Sequence, residues 1–279
     1  MKKYIITYGN QGFEAARERF VRNASETGVF DEVTPYSEDM LTQELLQSDV
    51  MKEKRGGGLW SWKPDIILTA LGKMNDGDYL VYCDAGCTVY KSREWERIWQ
   101  QLTKCDIIAQ LIYQRTDRWT RRSIVAHFRK ANSKGWSHCH QFLATVIIIK
   151  ATPFTRMMMT EWRSLMISHP EMVSDVKPEE RRQECDAFIE NRHDQAIFSA
   201  LVYKYLNQSE YKDRIKVQWE HIEDYDPIFK QSVRATRYRN GESSEGTAQK
   251  AKAILKRIIK DYLLRPLLYA PRQWYYSRL

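Results

Sequence analysis

The sequence contains no apolar run of 18 residues, so no transmembrane helix is expected. Cysteine is sparse and odd in number: Cys83, Cys87, Cys105, Cys139 and Cys185, with no Cys-x-x-Cys pair among them. That argues against a disulfide framework and leaves only Cys83 and Cys87, without a second pair, as a weak zinc signal. The thiols read as reduced, in a cytoplasmic protein. No GxxxxGK[ST] phosphate loop is present, and the order of elements around the glycines is wrong for a dinucleotide fingerprint. The apolar part of the amino terminus, Tyr4 to Tyr8, is too short for a signal peptide and reads as a first strand. Most of the chain also lacks a charge excess. Residues 233–279 hold 11 Lys and Arg against 3 Asp and Glu, and the rest holds 33 of each, so the whole formal charge of +8 lies at the carboxyl end. A local basic block points to an anionic surface, membrane or nucleic acid.

What is present is a globular composition. Hydrophobic residues make up 43% of 279 residues and aromatics 12%, enough for a sizeable core and against disorder. The opening alternates strand and helix: a strand ending at Gly9-Asn10, a helix from about Phe13 to Glu26 stopped by Gly28, and a short strand Val33–Ser37. A polar helical segment from about Glu38 to Glu53, a Pro64–Met74 helix and a buried Tyr79–Cys83 strand follow. This β-α-β order predicts an α/β fold, a mainly parallel sheet with crossover helices. Further expected elements are a helix Arg93–Leu102 after Ser92, a strand Asp106–Ile112, a single strand Phe142–Lys150, and a helix from Pro153 to about Ser168. A charged loop Ser174–Glu184 and a helix after Gln195 complete the body. Residues 1–235 then form one domain, 236–247 a polar linker and 248–279 a tail. In the tail, Ile254, Leu255, Ile258, Ile259, Tyr262 and Leu263 make an apolar stripe beside Lys250, Lys252, Lys256, Arg257, Lys260 and Arg265. A basic amphipathic helix with Trp274, Tyr275 and Tyr276 beyond it suits an anionic membrane surface; the alternative is a helix packed on the domain.

Three blocks carry candidate chemistry. Asp84-Ala85-Gly86 follows the Tyr79–Cys83 strand at its carboxyl end, where open α/β sheets bind ligands. An acid before small residues is a candidate metal or phosphate-sugar site, or else only a turn cap. Upstream, Gly56-Gly57-Gly58 gives a mobile backbone or exposes amides to an anion, ahead of Trp60, Trp62, Lys63 and Pro64. The two tryptophans either stack on a base or sugar or anchor the helix to the sheet. Downstream, Glu190, Arg192, His193, Asp194 and Gln195 crowd polar groups before a buried helix, as an acceptor or general-base site; the alternative is that Asp194 is an N-cap. The basic stretch Tyr113–Lys130 either contacts diphosphate or acceptor or is a solvated loop and helix. His138 and His140 have no nearby acid to complete a metal triad and read as structural.

GLWSWKP, GDYLVYCDAG and FIENRHDQAIFSAL, in this order and spacing, resemble a family of bacterial glycosyltransferases with a GT-A-like fold that build capsule and lipopolysaccharide O-antigen chains. The resemblance spans roughly residues 1–225. It implies a nucleotide-sugar donor and a saccharide acceptor, usually lipid-linked, with the enzyme cytoplasmic and peripheral on the inner face of the plasma membrane. Asp84 matches the position of the DXD motif, which binds Mn2+ or Mg2+ under the donor diphosphate; here Gly86 replaces the second acid. The resemblance also implies a nucleotide pocket at Tyr8, Gly9 and Asn10, phosphate neutralisation by Arg55 and Lys63, and donor contacts from Trp60, Trp62, Ala85 and Gly86. Asp194 matches the acid near the acceptor, as catalytic base or orienter, with His193 and Glu190 beside it and with Arg192 and Gln195 on the acceptor.

Three other readings remain. A haloacid-dehalogenase-like phosphatase would need a second aspartate where Gly86 stands. A nucleic-acid-binding protein fits the basic tail but not the neutral body; its binding would fall steeply with salt and need no lipid. A catalytically inactive sugar-nucleotide-fold scaffold is suggested by the degenerate DAG.

Overall fold

A computed structural model of the chain describes residues 1–133, 135–220, 222, 231–237, 255 and 259. The linker proposed at 236–247 and the tail at 248–279 lie almost wholly outside these residues; Leu255 and Ile259 are exposed. Among the described residues, no helix is long and apolar enough to cross a membrane.

The opening follows the alternation read from the sequence. Strand β1 (Lys3–Tyr8) leads into helix α1 (Glu14–Glu26) and strand β2 (Glu32–Tyr36). Helix α2 (Trp62–Lys73) precedes β3 (Tyr79–Cys83), the short β4 (Thr88–Val89) and α3 (Glu94–Leu102). Strand β5 (Ile107–Arg115) is followed by α4 (Arg122–Phe128), β6 (His140–Phe142), β7 (Val146–Lys150) and α5 (Pro153–Ser168). Helix α6 (His193–Leu206), β8 (Ile215–Trp219) and β9 (Val233–Arg234) complete the described elements.

The seven-stranded sheet runs β2-β1-β3-β7-β5-β6, with β8 also paired to β5. β2, β1 and β3 are parallel, as are β5 and β8. The expected mainly parallel α/β sheet is present, and within it β7 runs against both neighbours. The pattern FLATVIIIK gave no sign of this, because a central strand buried on both faces reads the same in either direction.

Alternation along the strands divides the core into two layers. Ile6, Tyr8, Leu80, Tyr82, Ile147 and Ile149 face α2, α5 and α6. Ile5, Val81, Cys83, Ile108, Val146 and Ile148 face α1 and α3, meeting Phe20, Ala24, Trp95, Ile98 and Leu102. The period of two thus puts Tyr8 and Tyr82 on the α2 side.

Two expected elements are broken. The single strand 142–150 splits into β6 and β7. Around the break, the Leu143 N–H bonds the Gln110 carbonyl at 2.7 Å, the Thr145 carbonyl accepts from the Asp84 N–H at 3.0 Å, and the Ala144 carbonyl is taken by Lys63. The polar helix expected over 38–53 is three short turns, of which only Gln43–Leu46 is α-helical. Leu41, Leu45 and Val50 are buried, and Thr42 turns its hydroxyl and N–H to the carboxylate of the buried Asp65. Anchoring to α2 outweighs local helix preference.

Candidate functional site

The site is assembled at the carboxyl ends of β1 and β3, the start of α2 and the first turn of α6. The approach to α2 is unusual. Gly56, Gly57, Gly58, Leu59 and Trp60 all have positive φ, between 54° and 91°. Such backbone costs an L-residue roughly 1–2 kcal/mol, which three glycines largely avoid and Leu59 and Trp60 do not. Local hydrogen bonds hold the turn: Gly58 N–H to the Glu53 carbonyl at 2.9 Å, Leu59 N–H to the Arg55 carbonyl at 2.8 Å, and Ser61 Oγ to the Gly58 carbonyl at 2.7 Å. The amides of Gly57 and Gly58 therefore point at chain carbonyls and are not presented to an anion. The turn separates the two tryptophans. Trp60 stacks on His193 at 5.1 Å, whereas Trp62 stacks on Tyr8 at 4.0 Å and donates its indole N–H to the Gly56 carbonyl at 2.9 Å. Trp62 is the anchor of α2 against β1.

Immediately after Trp62, Lys63 points inward and is nearly inaccessible. Its Nζ lies 2.7 Å from Asp194 Oδ2, 3.0 Å from the Ala144 carbonyl and 3.5 Å from Asp84 Oδ1. An ammonium has three protons, and here three acceptors surround it. Tyr82 Oη donates to Asp84 Oδ1 as well. Asp84 remains about one-third exposed, while Asp194 is buried. Two carboxylates around one ammonium leave a local excess of one negative charge, and the titration directions agree with it. Burial works against the charge on Lys63, but Asp194 and then Asp84 outweigh it and hold its pKa above the ordinary lysine value. Burial pushes the Asp194 carboxyl up, only partly offset by Lys63. Burial and Asp84 hold the Tyr82 phenol well above its usual range, so it stays a donor.

Asp84, Asp194 and Lys63, drawn from the three sequence blocks, thus converge. Lys63, expected to reach phosphate, instead forms ion pairs with the two aspartates and donates a hydrogen bond to the Ala144 carbonyl. Asp194 is not an N-cap: Arg192 holds that position and Asp194 lies in the first turn of α6. His193 is turned away from the pair. Its φ is +46°, its Nδ1 donates to the Val173 carbonyl at 2.7 Å, and burial lowers its pKa, so it is neutral at neutral pH. Glu190 meets Arg192 at 3.2 Å and Arg55 at 3.8 Å, and Arg55 pairs more closely with Asp175 at 2.6 Å. Arg192 also stacks on Trp119 at 4.4 Å. These residues form a rim that ties the Ser174–Glu184 loop to the site rather than joining the carboxylate pair. Gln195 points to Gln114 and Gln141, at 2.9 and 2.8 Å.

On the β1 side, Gly9 has no room for a side chain: an added Cβ would lie 3.0 Å from the Phe13 carbonyl and 3.2 Å from Arg17 Cβ. Asn10 sits beside Gly57, and its Oδ1 is buried without a hydrogen bond. After Asp84 the loop is pinned from behind. Arg19 donates to the Ala85 carbonyl at 3.2 Å and Thr236 Oγ1 to the Gly86 carbonyl at 2.7 Å.

No group of three or more His, Cys, Asp or Glu side chains among the described residues could hold a metal ion. One partly exposed carboxylate, Asp84, suits Mg2+ or Mn2+ only when a diphosphate supplies further oxygens.

Sequence reasoning missed Tyr82, Gln114, Gln141 and the Ala144 carbonyl. Tyr82 had a usable signal: it stands two residues before Asp84 on a strand, hence on the same side. The others depend on strand pairing and gave none.

No family model and no curated protein matches the chain. Among solved structures, it is similar to a glycosyltransferase involved in glycosylation of the major capsid of PBCV-1, at 12% identity and a TM-score of 0.40, over 78% of this chain and 82% of that one. Mouse xyloside xylosyltransferase 1 gives 14% identity and a TM-score of 0.40, over 77% and 85%. The galactosyltransferase LgtC gives 12% and 0.38, over 77% and 72%. Similarities at this level carry no argument, and the chemistry rests on the site itself.

Proposed function

We propose that the protein is a GT-A-like glycosyltransferase that moves a sugar from a nucleotide-sugar donor to a saccharide acceptor, lipid-linked, in bacterial surface polysaccharide synthesis. The observation that carries the reading is the convergence of Asp84 and Asp194, from distant parts of the sequence, on the buried Lys63 ammonium. In glycosyl transfer the bond from the anomeric carbon to the diphosphate oxygen breaks, and the diphosphate leaves with the electron pair. A bond to the acceptor oxygen forms, and the acceptor hydroxyl loses its proton. Asp84, the exposed member, faces the ligand at the strand end. Asp194, whose proton affinity burial raises, serves as the base and is held in place by Lys63. The Gly9 and Asn10 end of β1 admits the nucleotide, and the buried unpaired Asn10 Oδ1 awaits a donor there. Mn2+ or Mg2+ entering with the donor would be held by Asp84 and would neutralise the leaving diphosphate. The basic segment 233–279 would bring the enzyme to an anionic membrane surface, on the cytoplasmic face.

A thermal-shift screen of UDP-, GDP-, CMP- and dTDP-sugars, with and without Mn2+, tests the reading. A ligand at a hundred times its Kd stabilises the native state by about 2.7 kcal/mol. One nucleotide family should raise the melting temperature, and no shift with any of them would refute the proposal.

A further inference from the structure

The amides around Gln195 have a hydrogen-bond polarity fixed from one end. The Trp119 carbonyl can only accept, so Gln141 must turn its nitrogen toward it, at 2.9 Å; the second proton of that Nε2 goes to Thr120 Oγ1 at 2.8 Å. Gln141 is fully buried, and its Oε1 therefore needs a donor. Gln195 Nε2 supplies one at 2.8 Å and gives its other proton to Gln114 Oε1 at 2.9 Å. Gln195 is thereby left with its Oε1 as an acceptor, and Gln114 with the two protons of its Nε2 as donors. No protein group among the described residues meets either atom, and neither is a buried orphan. Both residues are half-buried. Gln195 directly follows Asp194 in the first turn of α6, and Gln114 is the penultimate residue of β5.

We infer that Gln114 and Gln195 together read one sugar hydroxyl, which accepts from Gln114 Nε2 and donates to Gln195 Oε1. A hydroxyl is both donor and acceptor, so it satisfies both amides at once. A phosphate or carboxylate only accepts and would face the Gln195 oxygen, whereas an ammonium only donates and would face the Gln114 protons. The inference rests on the glycosyl-transfer reading and deepens it: beside the carboxylate pair lies a selector for one hydroxyl, belonging to the donor sugar or to the acceptor. Gln141, wholly inside, is the positioning residue that sets the polarity.

Gln114→Glu tests this directly. The new carboxylate still accepts from Gln195 Nε2, but the two donors are gone. Gln114→Met removes the amide without adding charge, and a melting curve of each variant checks the fold. Calorimetric binding is measured in two arms. The donor arm uses UDP-glucose, UDP-galactose and GDP-mannose, each against its bare nucleotide. The acceptor arm uses methyl glucoside, galactoside and mannoside with the bound nucleotide present. Monodeoxy analogues of the sugar that binds complete each arm. One monodeoxy analogue should bind wild type on the order of tenfold more weakly than its parent. Both variants should bind parent and analogue equally, at the weaker level, with bare nucleotide affinity unchanged. The arm showing this pattern identifies the hydroxyl's owner. Variants that keep wild-type affinity, or that still discriminate the analogue, overturn the hydroxyl reader, as does a wild type indifferent to every deoxy position. A wild type that binds no nucleotide overturns the glycosyl-transfer reading, and the selector with it.

Discussion

Replacing Lys63 by methionine keeps an unbranched side chain one atom shorter and removes its charge. The buried Asp194 and the one-third-exposed Asp84 then lose their shared counter-ion, and the Ala144 carbonyl loses its donor. Wild-type Lys63 Nζ is 2.7 Å from Asp194 and 3.5 Å from Asp84. Removing one partner of a buried ion pair costs about 3–5 kcal/mol, because the remaining charge is uncompensated. At roughly 2–3 °C per kcal/mol for a chain of this size, the melting temperature should fall by roughly 6–15 °C. The loss should depend on pH with a definite sign. Burial already pushes the Asp194 carboxyl up, and loss of the ammonium pushes it further. A carboxyl with a raised folded pKa stabilises the fold fully below its unfolded value, and that contribution is lost as pH rises through the folded pKa. The deficit should therefore be greatest near pH 8 and shrink as pH falls toward the carboxylate range. Adding Asp194→Asn to Lys63→Met should restore at least half of the lost stability, since one of the two opposed charges goes. Melting curves of the three proteins at about pH 8 and about pH 5 make the measurement. A fall under about 2 °C, or a deficit equal at the two pH values, would refute the reading of Lys63 as counter-ion to both aspartates.

Asp84→Asn should lower transfer at least a hundredfold, on the scale of removing an electrostatic catalytic group. The melting temperature should stay within about 3 °C, because Tyr82 keeps an oxygen to donate to; retained activity would remove Asp84 from the mechanism. Gly57→Ala should cost about 1–2 kcal/mol for its left-handed backbone, its Cβ meeting nothing nearer than Asn10 Nδ2 at 3.5 Å. Gly58→Ala should cost about 3 kcal/mol or more, since the added carbon also runs into Met51. Equal losses in urea unfolding would show that the turn is not packed as described. Deleting residues 247–279 should release the protein from vesicles of anionic lipid, each basic residue near such a surface contributing about 1 kcal/mol; unchanged sedimentation with the vesicles would refute the anchor.

Much of the fold was legible locally. The run of β-forming residues in Tyr79–Cys83 and the helical runs after Pro153 and Gln195 are short-range patterns, set by local propensity and apolar composition whatever the neighbours are. Asp84 could be singled out because a strand end is a local feature. The direction of β7 and the break between Phe142 and Val146 were not legible, because they are settled by partners remote in sequence, among them Gln110 and Lys63. The same holds within the site. The sequence by itself determined that an acid follows β3, that a lysine opens α2 and that an aspartate precedes a buried helix. Only the tertiary structure decided that one ammonium serves both aspartates, that His193 and Glu190 turn to the rim, and that the Gln114, Gln141 and Gln195 amides share one polarity. The reason is physical. Propensity and periodicity act over a few residues, whereas ion pairs and amide chains are fixed by which buried groups the packed sheet leaves in need of a partner.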